Sequence, residues 1–395
     1  MLDQSFKPSR AAAEARLASF VPNAGGAYAL RRNLDIAGHP HVSGLSPYLR
    51  HRIVTEEDVL QGVLRRHSPA AAEKFIQEVY WRTYWKGWLE QRPSVWTAYR
   101  AGLAAALNNV QTQSGLRTEW EAACLGRTGI DCFDHWAQEL ADTGYLHNHA
   151  RMWFASIWIF TLRLPWELGA DFFLRHLLDG DPASNTLGWR WVAGLQTVGK
   201  TYLARADNIA KYTENRFTPT GLASFAAPLA GPPHPERSPL PMAGHIPPDL
   251  LRDGRIGLLM TEDDLSPEWL PQGLPTAIYD GTRHRSPLNV SPYVTDFVSG
   301  AISDLKVRSG SPLATPQTTE EIDAWAKDTK LEALVLAHPP VGGTADAIAA
   351  LKTPVIRQIR PYDQAAWPHA KAGFFKFKTQ IPKLLAANDK QLSLL

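Results

Sequence analysis

Eight prolines fall within the 25 residues 226–250. Proline has no backbone N–H and a fixed φ, so neither a helix interior nor a central strand can run through such a stretch, which reads as an extended connector. The connector divides the 395-residue chain into parts of different apolar period. Before it, apolar residues recur three and four apart, at Phe75, Val79, Trp81, Trp85 and Trp88 and again at Met152, Ile157, Phe160 and Leu164, as amphipathic helices require. After it, β-rich runs at 255–260, 276–279, 331–336 and 353–359 alternate with helical patterns at 292–305, 319–327 and 344–351, and a last helix is expected at 374–387. Alternation of this kind predicts a small parallel α/β sheet. The expected organisation is an all-helical domain over 1–225, a linker over 226–250 and an α/β domain over 251–395.

Composition removes several classes of function. Lys and Arg outnumber Asp and Glu by 41 to 39, so a nucleic-acid partner would need a local basic surface rather than bulk charge. The two cysteines, Cys124 and Cys132, exclude a disulfide framework, a four-cysteine zinc site and a cysteine-ligated iron–sulfur cluster, and are expected as core thiols. The first ten residues lack the apolar core of a signal peptide, and the most apolar run, 153–164, is too short to span a bilayer. A reduced, cytoplasmic setting is expected. Of 14 tryptophans, eleven lie between Trp81 and Trp191, a concentration that suits either a large apolar core or ring stacking on a ligand.

Three segments carry candidate chemistry. In 41–49 (HVSGLSPYL), Ser46 is the expected N-cap and Pro47 the first helical residue, with Ser43 and Gly44 beside them. A helix start surrounded by hydroxyls suits a pyrophosphate, or is a capped helix with no ligand. In 75–88 (FIQEVYWRTYWKGW), Glu78, Trp81, Arg82 and Trp85 share one helix face. That stripe suits a planar heteroaromatic ligand, or is an exposed ion pair beside core indoles. In 144–153 and 179–191 stand Asn148, Arg151, Asp179, Asp181, Asn185, Trp189 and Trp191. The Asp-Gly-Asp does not follow calcium-loop spacing, and Arg151 with Asp179 reads equally as a structural salt bridge. The Gly-rich 340–343 matches no nucleotide fingerprint and reads as a strand-to-helix turn.

Taken in order, S-x-L-S-P, E-x-x-W-R, H-N-x-x-R-M and D-G-D-x-x-x-N-x-x-x-W-x-W resemble the FAD-binding domain of the photolyase/cryptochrome superfamily, over roughly residues 15–225. Most photolyases place the α/β domain first. A helical domain followed by a Rossmann-like parallel α/β domain is similar to a small bacterial subgroup of inverted order, in which the trailing domain covers the flavin site.

The resemblance implies FAD as cofactor, with Ser43, Gly44, Leu45 and Ser46 at the pyrophosphate; Gly44 stands where relatives often carry Arg. Asn185 matches the residue beside flavin N5, Asp181 one near the ring and adenine, and Arg151 with Asp179 a buried pair next to the isoalloxazine. Tyr28, Arg82 and Asn148 are expected on the cofactor as well. For the substrate, Glu78 matches the carboxylate on the thymine edge and Trp81 the stacking indole, with Arg82, Asn148, Met152 and Trp191 completing the pocket. Asn148, rather than a second His, follows the cyclobutane-dimer pattern. Trp166 and Trp189 match members of the chain that charges FAD under light. The implied function is light-dependent splitting of cyclobutane pyrimidine dimers in UV-damaged, single-stranded DNA, by a monomer with no membrane partner. The alternative is a blue-light photoreceptor of cryptochrome type without repair. No fingerprint supports an antenna chromophore, and no metal site is expected.

Overall fold

The computed structural model describes residues 6–231, 234–310 and 312–392. The first part is helical: α1 (Arg10–Phe20), α2 (Gly26–Arg31), α3 (Ser46–Arg50), α4 (Glu56–Leu64), α5 (Glu73–Glu90), α6 (Ser94–Thr112), α7 (Ser114–Cys124), α8 (Asp131–Thr143), α9 (Asn148–Ser156), α10 (Trp166–His176), α11 (Pro182–Val192) and α12 (Ala206–Tyr212). Described residues from 213 to 247 carry no helix or strand. There follow α13 (Pro248–Arg252), β1 (Ile256–Thr261), β2 (Thr276–Tyr279), α14 (Pro292–Ser309), α15 (Thr319–Asp328), β3 (Ala333–Ala337), α16 (Gly343–Ile348), β4 (Val355–Gln358), α17 (Pro361–Ala366), α18 (Phe374–Lys378) and α19 (Ile381–Leu392). The four strands are parallel in the order β2-β1-β3-β4, with Leu258 opposite Thr276 and Ile256 opposite Ala333. Every residue of β1 is buried, as expected of a parallel strand covered on both faces. The chain is thus helix-rich with a small parallel sheet, the fold class its periodicities indicate.

Three local expectations are corrected. The 152–164 stripe is not one helix: α9 ends at Ser156, a π-type turn spans Ile157–Thr161, and Arg163 takes φ +57°. Pro165 keeps the chain from continuing as helix through Leu164, because a proline pushes its predecessor out of the helical region. The terminal helix is two, α18 and α19, since Pro382 cannot sit inside a continuous helix. Ser46 does not cap α3; the helix begins at Ser46, and Leu45 holds the cap position without a side-chain bond.

α5 runs through the centre. Phe75, Ile76, Val79, Tyr80, Tyr84 and Trp88 face the core, while Glu78, Trp81, Arg82 and Trp85 lie on a partly exposed face. At Gly87 the trailing segment comes so close that an added Cβ would stand 2.7 Å from Trp367 Cδ1 and 2.9 Å from its Cα.

The ends of β1 and β3 meet the helical part through buried charges. Arg50 pairs with Asp263, and Arg52 reaches Glu56 at 3.2 Å, Asp264 at 3.4 Å and Asp363 at 2.5 Å. Arg360 adds a second guanidinium on Asp264 at 2.7 Å, and His338 reaches Glu90 at 3.0 Å. Between β1 and β3 the strand order reverses, the place where open α/β sheets usually offer a ligand crevice. Here only about 10 Å³ remains, enclosed by Arg50, Lys86, Asp181, Asp263, Arg285 and Thr344.

Candidate functional site

A cavity of about 500 Å³ opens in the helical part, within the range of small-molecule and cofactor sites. Its walls come from α2, α5, α9, α10, α11 and the segment around 43–46. The α5 stripe contributes Glu78, Trp81, Arg82 and Trp85, so the shared face inferred from spacing is the face turned to the cavity.

Glu78 forms an ion pair with Arg32, just past α2. Burial raises the Glu78 carboxyl and the Arg32 charge opposes that rise. Arg32 is itself held through its backbone: His147 Nε2 lies 3.1 Å from the Arg32 carbonyl and His149 Nδ1 3.1 Å from that of Asn33. His147 also caps α9, accepting from the His149 N–H at 3.2 Å. Burial, with His39 and His149 nearby, pushes His147 down to about 3, so it is neutral at physiological pH. The two histidines tie α2 to α9 on either side of cavity-lining Asn148.

On the α10–α11 side, Arg151 donates to Asp179 at 2.9 Å and to the Leu146 carbonyl at 2.8 Å. Burial alone would raise Asp179, but Arg151 and the Ser46 hydroxyl hold it below the usual carboxylate range. Asp181 caps α11 and accepts from the Ala183 N–H at 2.9 Å and the Ser184 hydroxyl at 3.0 Å. Against its burial, Arg82, Lys86 and Arg50 bring Asp181 to about 2. Both aspartates are therefore anionic. Asn185 donates one Nδ2 hydrogen to the Ala170 carbonyl at 2.8 Å, which fixes the amide and leaves its Oδ1 and second Nδ2 hydrogen to offer to a ligand.

Of the residues singled out from sequence, Tyr28, Ser43, Ser46, Glu78, Trp81, Arg82 and Asn148 line the cavity, as do Arg151, Met152, Asp179, Asp181, Asn185, Trp189 and Trp191. Gly44, Leu45 and Trp166 do not. Leu45 is packed into the core. Gly44 turns at φ +60° with the Arg16 guanidinium against it, so the position that lacks a cation has one brought beside it from α1. Trp166 is buried and tilts against Tyr99 at 5.7 Å between ring centroids. The indole beside Trp189 is Trp158, edge-on at 6.1 Å.

Sequence reading missed Arg32, Phe75, Phe173, Leu177 and Gly188, which also line the cavity. No motif marks Arg32, Phe173 or Leu177, which arrive by packing, and Phe75 opens the 75–88 segment but reads there only as part of the apolar period. Gly188 carried a signal: a glycine inside a helix costs about 1 kcal/mol relative to alanine, so it asks for a reason.

The cavity's polar atoms point to a ligand. Arg82 Nε, Asp179 Oδ1 and Trp189 Nε1 are buried without hydrogen-bond partners, a state few native polar groups are left in. A Cβ at Gly188 would meet nothing within 4 Å, so this wall is smooth helix backbone. Anionic Asp179 and Asp181, three arginines, open hydroxyls and indole faces make a donor set for a large, planar, partly charged molecule.

Residues 75–221 match the family model "FAD binding domain of DNA photolyase". The deoxyribodipyrimidine photo-lyase of Streptomyces griseus is 34% identical over 188 residues, covering 44% of this chain and 39% of that protein. That of Escherichia coli K12 is 30% identical over 206 residues, covering 50% and 42%. Among solved structures, a class III photolyase from Agrobacterium tumefaciens aligns at 24% identity and a TM-score of 0.43, over 52% of this chain and 42% of that one. Residues 75–221, from α5 through α12, are thus similar to the FAD-binding domain of photolyases. The chain spans about two fifths of the length of the curated relatives named here.

Proposed function

We propose that this protein is a deoxyribodipyrimidine photo-lyase, a light-dependent flavoenzyme that splits cyclobutane pyrimidine dimers and prefers single-stranded DNA. The observation that carries the reading is that Glu78, Trp81, Asn148 and Met152 share one cavity with Arg151, Asp179, Asp181 and Asn185. A lesion-recognition set and a flavin set thereby open on the same space. We assign Ser43, Ser46, Tyr28, Arg82, Asn148, Arg151, Asp179, Asp181 and Asn185 to holding FAD. Reduced FAD, when bound, supplies under light the electron that opens the cyclobutane ring and recovers it afterwards. The chain's own residues set the conditions. The fixed charge of Arg151 favours negative charge beside it, and Asn185 presents an acceptor oxygen. Glu78 hydrogen-bonds the pyrimidine edge and Trp81 stacks on the ring. Phe173, Leu177 and Met152 keep the site dry.

Extrusion of the dimer from the helix costs unstacking energy that a single strand largely avoids, and exposed aromatic faces suit unpaired bases. Trp189 and Trp166 are the indoles we assign to light-driven charging of the cofactor. The crevice where the strand order reverses is filled by Arg50, Asp263 and their neighbours. On this reading residues 1–225 form the catalytic domain, 226–250 the linker and 251–395 an α/β domain that rests on it.

The test is an absorbance spectrum of the purified protein, followed by illumination of the reduced form with oligo-dT carrying one dimer. A flavin spectrum with restoration faster on single-stranded than on duplex substrate is expected. A flavin-bearing protein that restores neither would be a photoreceptor, and a colourless protein would end both readings.

A further inference from the structure

Helix α18 packs against α5, the helix that forms one wall of the site. Phe374 stacks on Trp81 with ring centroids 3.6 Å apart and planes 12° apart, so one face of the cavity's indole is covered from a segment nearly 300 residues away. The placement is anchored at several points. Tyr84 donates to the Ala372 carbonyl at 2.7 Å, Arg92 to that of Lys371 at 3.0 Å, and Lys378 pairs with Glu73 at 2.8 Å. Phe377 packs on Tyr80 and Tyr84.

The next residue does the opposite. Phe375 is 83% exposed, with Lys371 and Lys376 exposed on either side of it in sequence. Neither lysine forms an ion pair among the described residues. A lone exposed aromatic needs no explanation. This one is one residue from a ring stacked on the cavity wall and stands among unpaired cations, and the proposed substrate is a polyanion with stackable bases.

Resting on the function proposed above, we propose that residues 371–376 form a rim for the unpaired strand beside the lesion: Phe375 stacks a neighbouring base, and Lys371 and Lys376 contact its phosphates. Base–aromatic stacking tolerates any base, so the rim would add affinity without sequence preference. The partner is single-stranded pyrimidine-rich DNA, because a splayed base is needed to reach an exposed ring.

The experiment uses full-length, flavin-loaded protein and fluorescein-labelled oligo-dT, with and without one dimer, read by anisotropy across a range of salt. Phe375→Ala should raise Kd for both oligonucleotides by roughly 5- to 150-fold, the worth of one stacked base. Lys376→Ala should lower the slope of log Kd against log salt by about 0.7. Both sites are exposed, and unchanged flavin absorbance verifies the fold. Unchanged Kd and slope in both variants would overturn the rim while leaving the repair reading intact. Wild-type protein that binds the dimer-bearing strand no better than the undamaged one would count against the repair reading itself. Tight binding to duplex with none to single strands would overturn the rim.

Discussion

Gly188→Ala separates what the empty fold wants from what the ligand wants. The residue lies within α11, where alanine is the better helix former by about 0.8–1 kcal/mol. Its Cβ position has no atom within 4 Å, so the methyl meets nothing in the protein alone. Flavin-stripped Gly188→Ala should therefore be more stable than wild type by roughly 0.4–1 kcal/mol, seen as a higher denaturant midpoint at unchanged slope. With FAD the sign reverses, because the methyl enters the cavity at a wall the cofactor would press against. Forcing one methylene into a close contact costs about 1–3 kcal/mol, or roughly 5- to 150-fold in affinity. Titration of FAD into stripped protein, followed by flavin fluorescence, measures it. A raised midpoint with unchanged FAD affinity would refute the claim that a ligand keeps this wall bare. A lowered midpoint would show that the wall is already occupied by protein.

Gly169→Ala should behave in the opposite way: its Cβ would stand 2.2 Å from Trp189 Cη2 and 3.0 Å from Trp158 Cε2, and roughly 1–3 kcal/mol of overpacking outweighs the helix gain, which lowers the midpoint of stripped protein. His147 titrates at about 3 in the fold and near 6.5 unfolded, so the unfolded chain binds the extra proton between those values and stability falls as pH drops below about 6.5, by up to about 1.4 kcal/mol per pH unit. Asn at 147 keeps a capping acceptor, so His147→Asn should flatten that fall in urea midpoints taken from pH 7.5 to 5.5. Asp263→Ala leaves Arg50 buried and unpaired, and should cost roughly 3–5 kcal/mol, most of it recovered by adding Arg50→Met in a double-mutant cycle. Trp189→Phe should slow photobleaching of oxidised flavin absorbance at least severalfold, and normal bleaching would remove Trp189 from the charging route.

The α5 stripe was legible because spacing of three and four forces side chains onto one face whatever the rest of the fold does. The Asp-Gly-Asp turn was placed at the site by resemblance alone, and its cap role, with Asp181 accepting at the start of α11, came from the structure. Strands at 256–261 and 276–279 announced themselves by short β-rich runs between turn residues. The misses were of another kind. Pro165 and Pro382 broke helices that apolar period alone would have carried through. Arg32 meets Glu78 where His147 contacts the Arg32 carbonyl and His149 that of Asn33, ties between positions more than a hundred residues apart.

Local periodicity and proline placement therefore decided a helical part followed by a parallel α/β part, since each depends on forces acting within a few residues. Which surfaces meet was decided in three dimensions. The filling of the crevice between β1 and β3 by Arg50 and Asp263, and the seating of Phe374 on Trp81, arise from burial and charge pairing between distant segments, which no single window of the chain encodes.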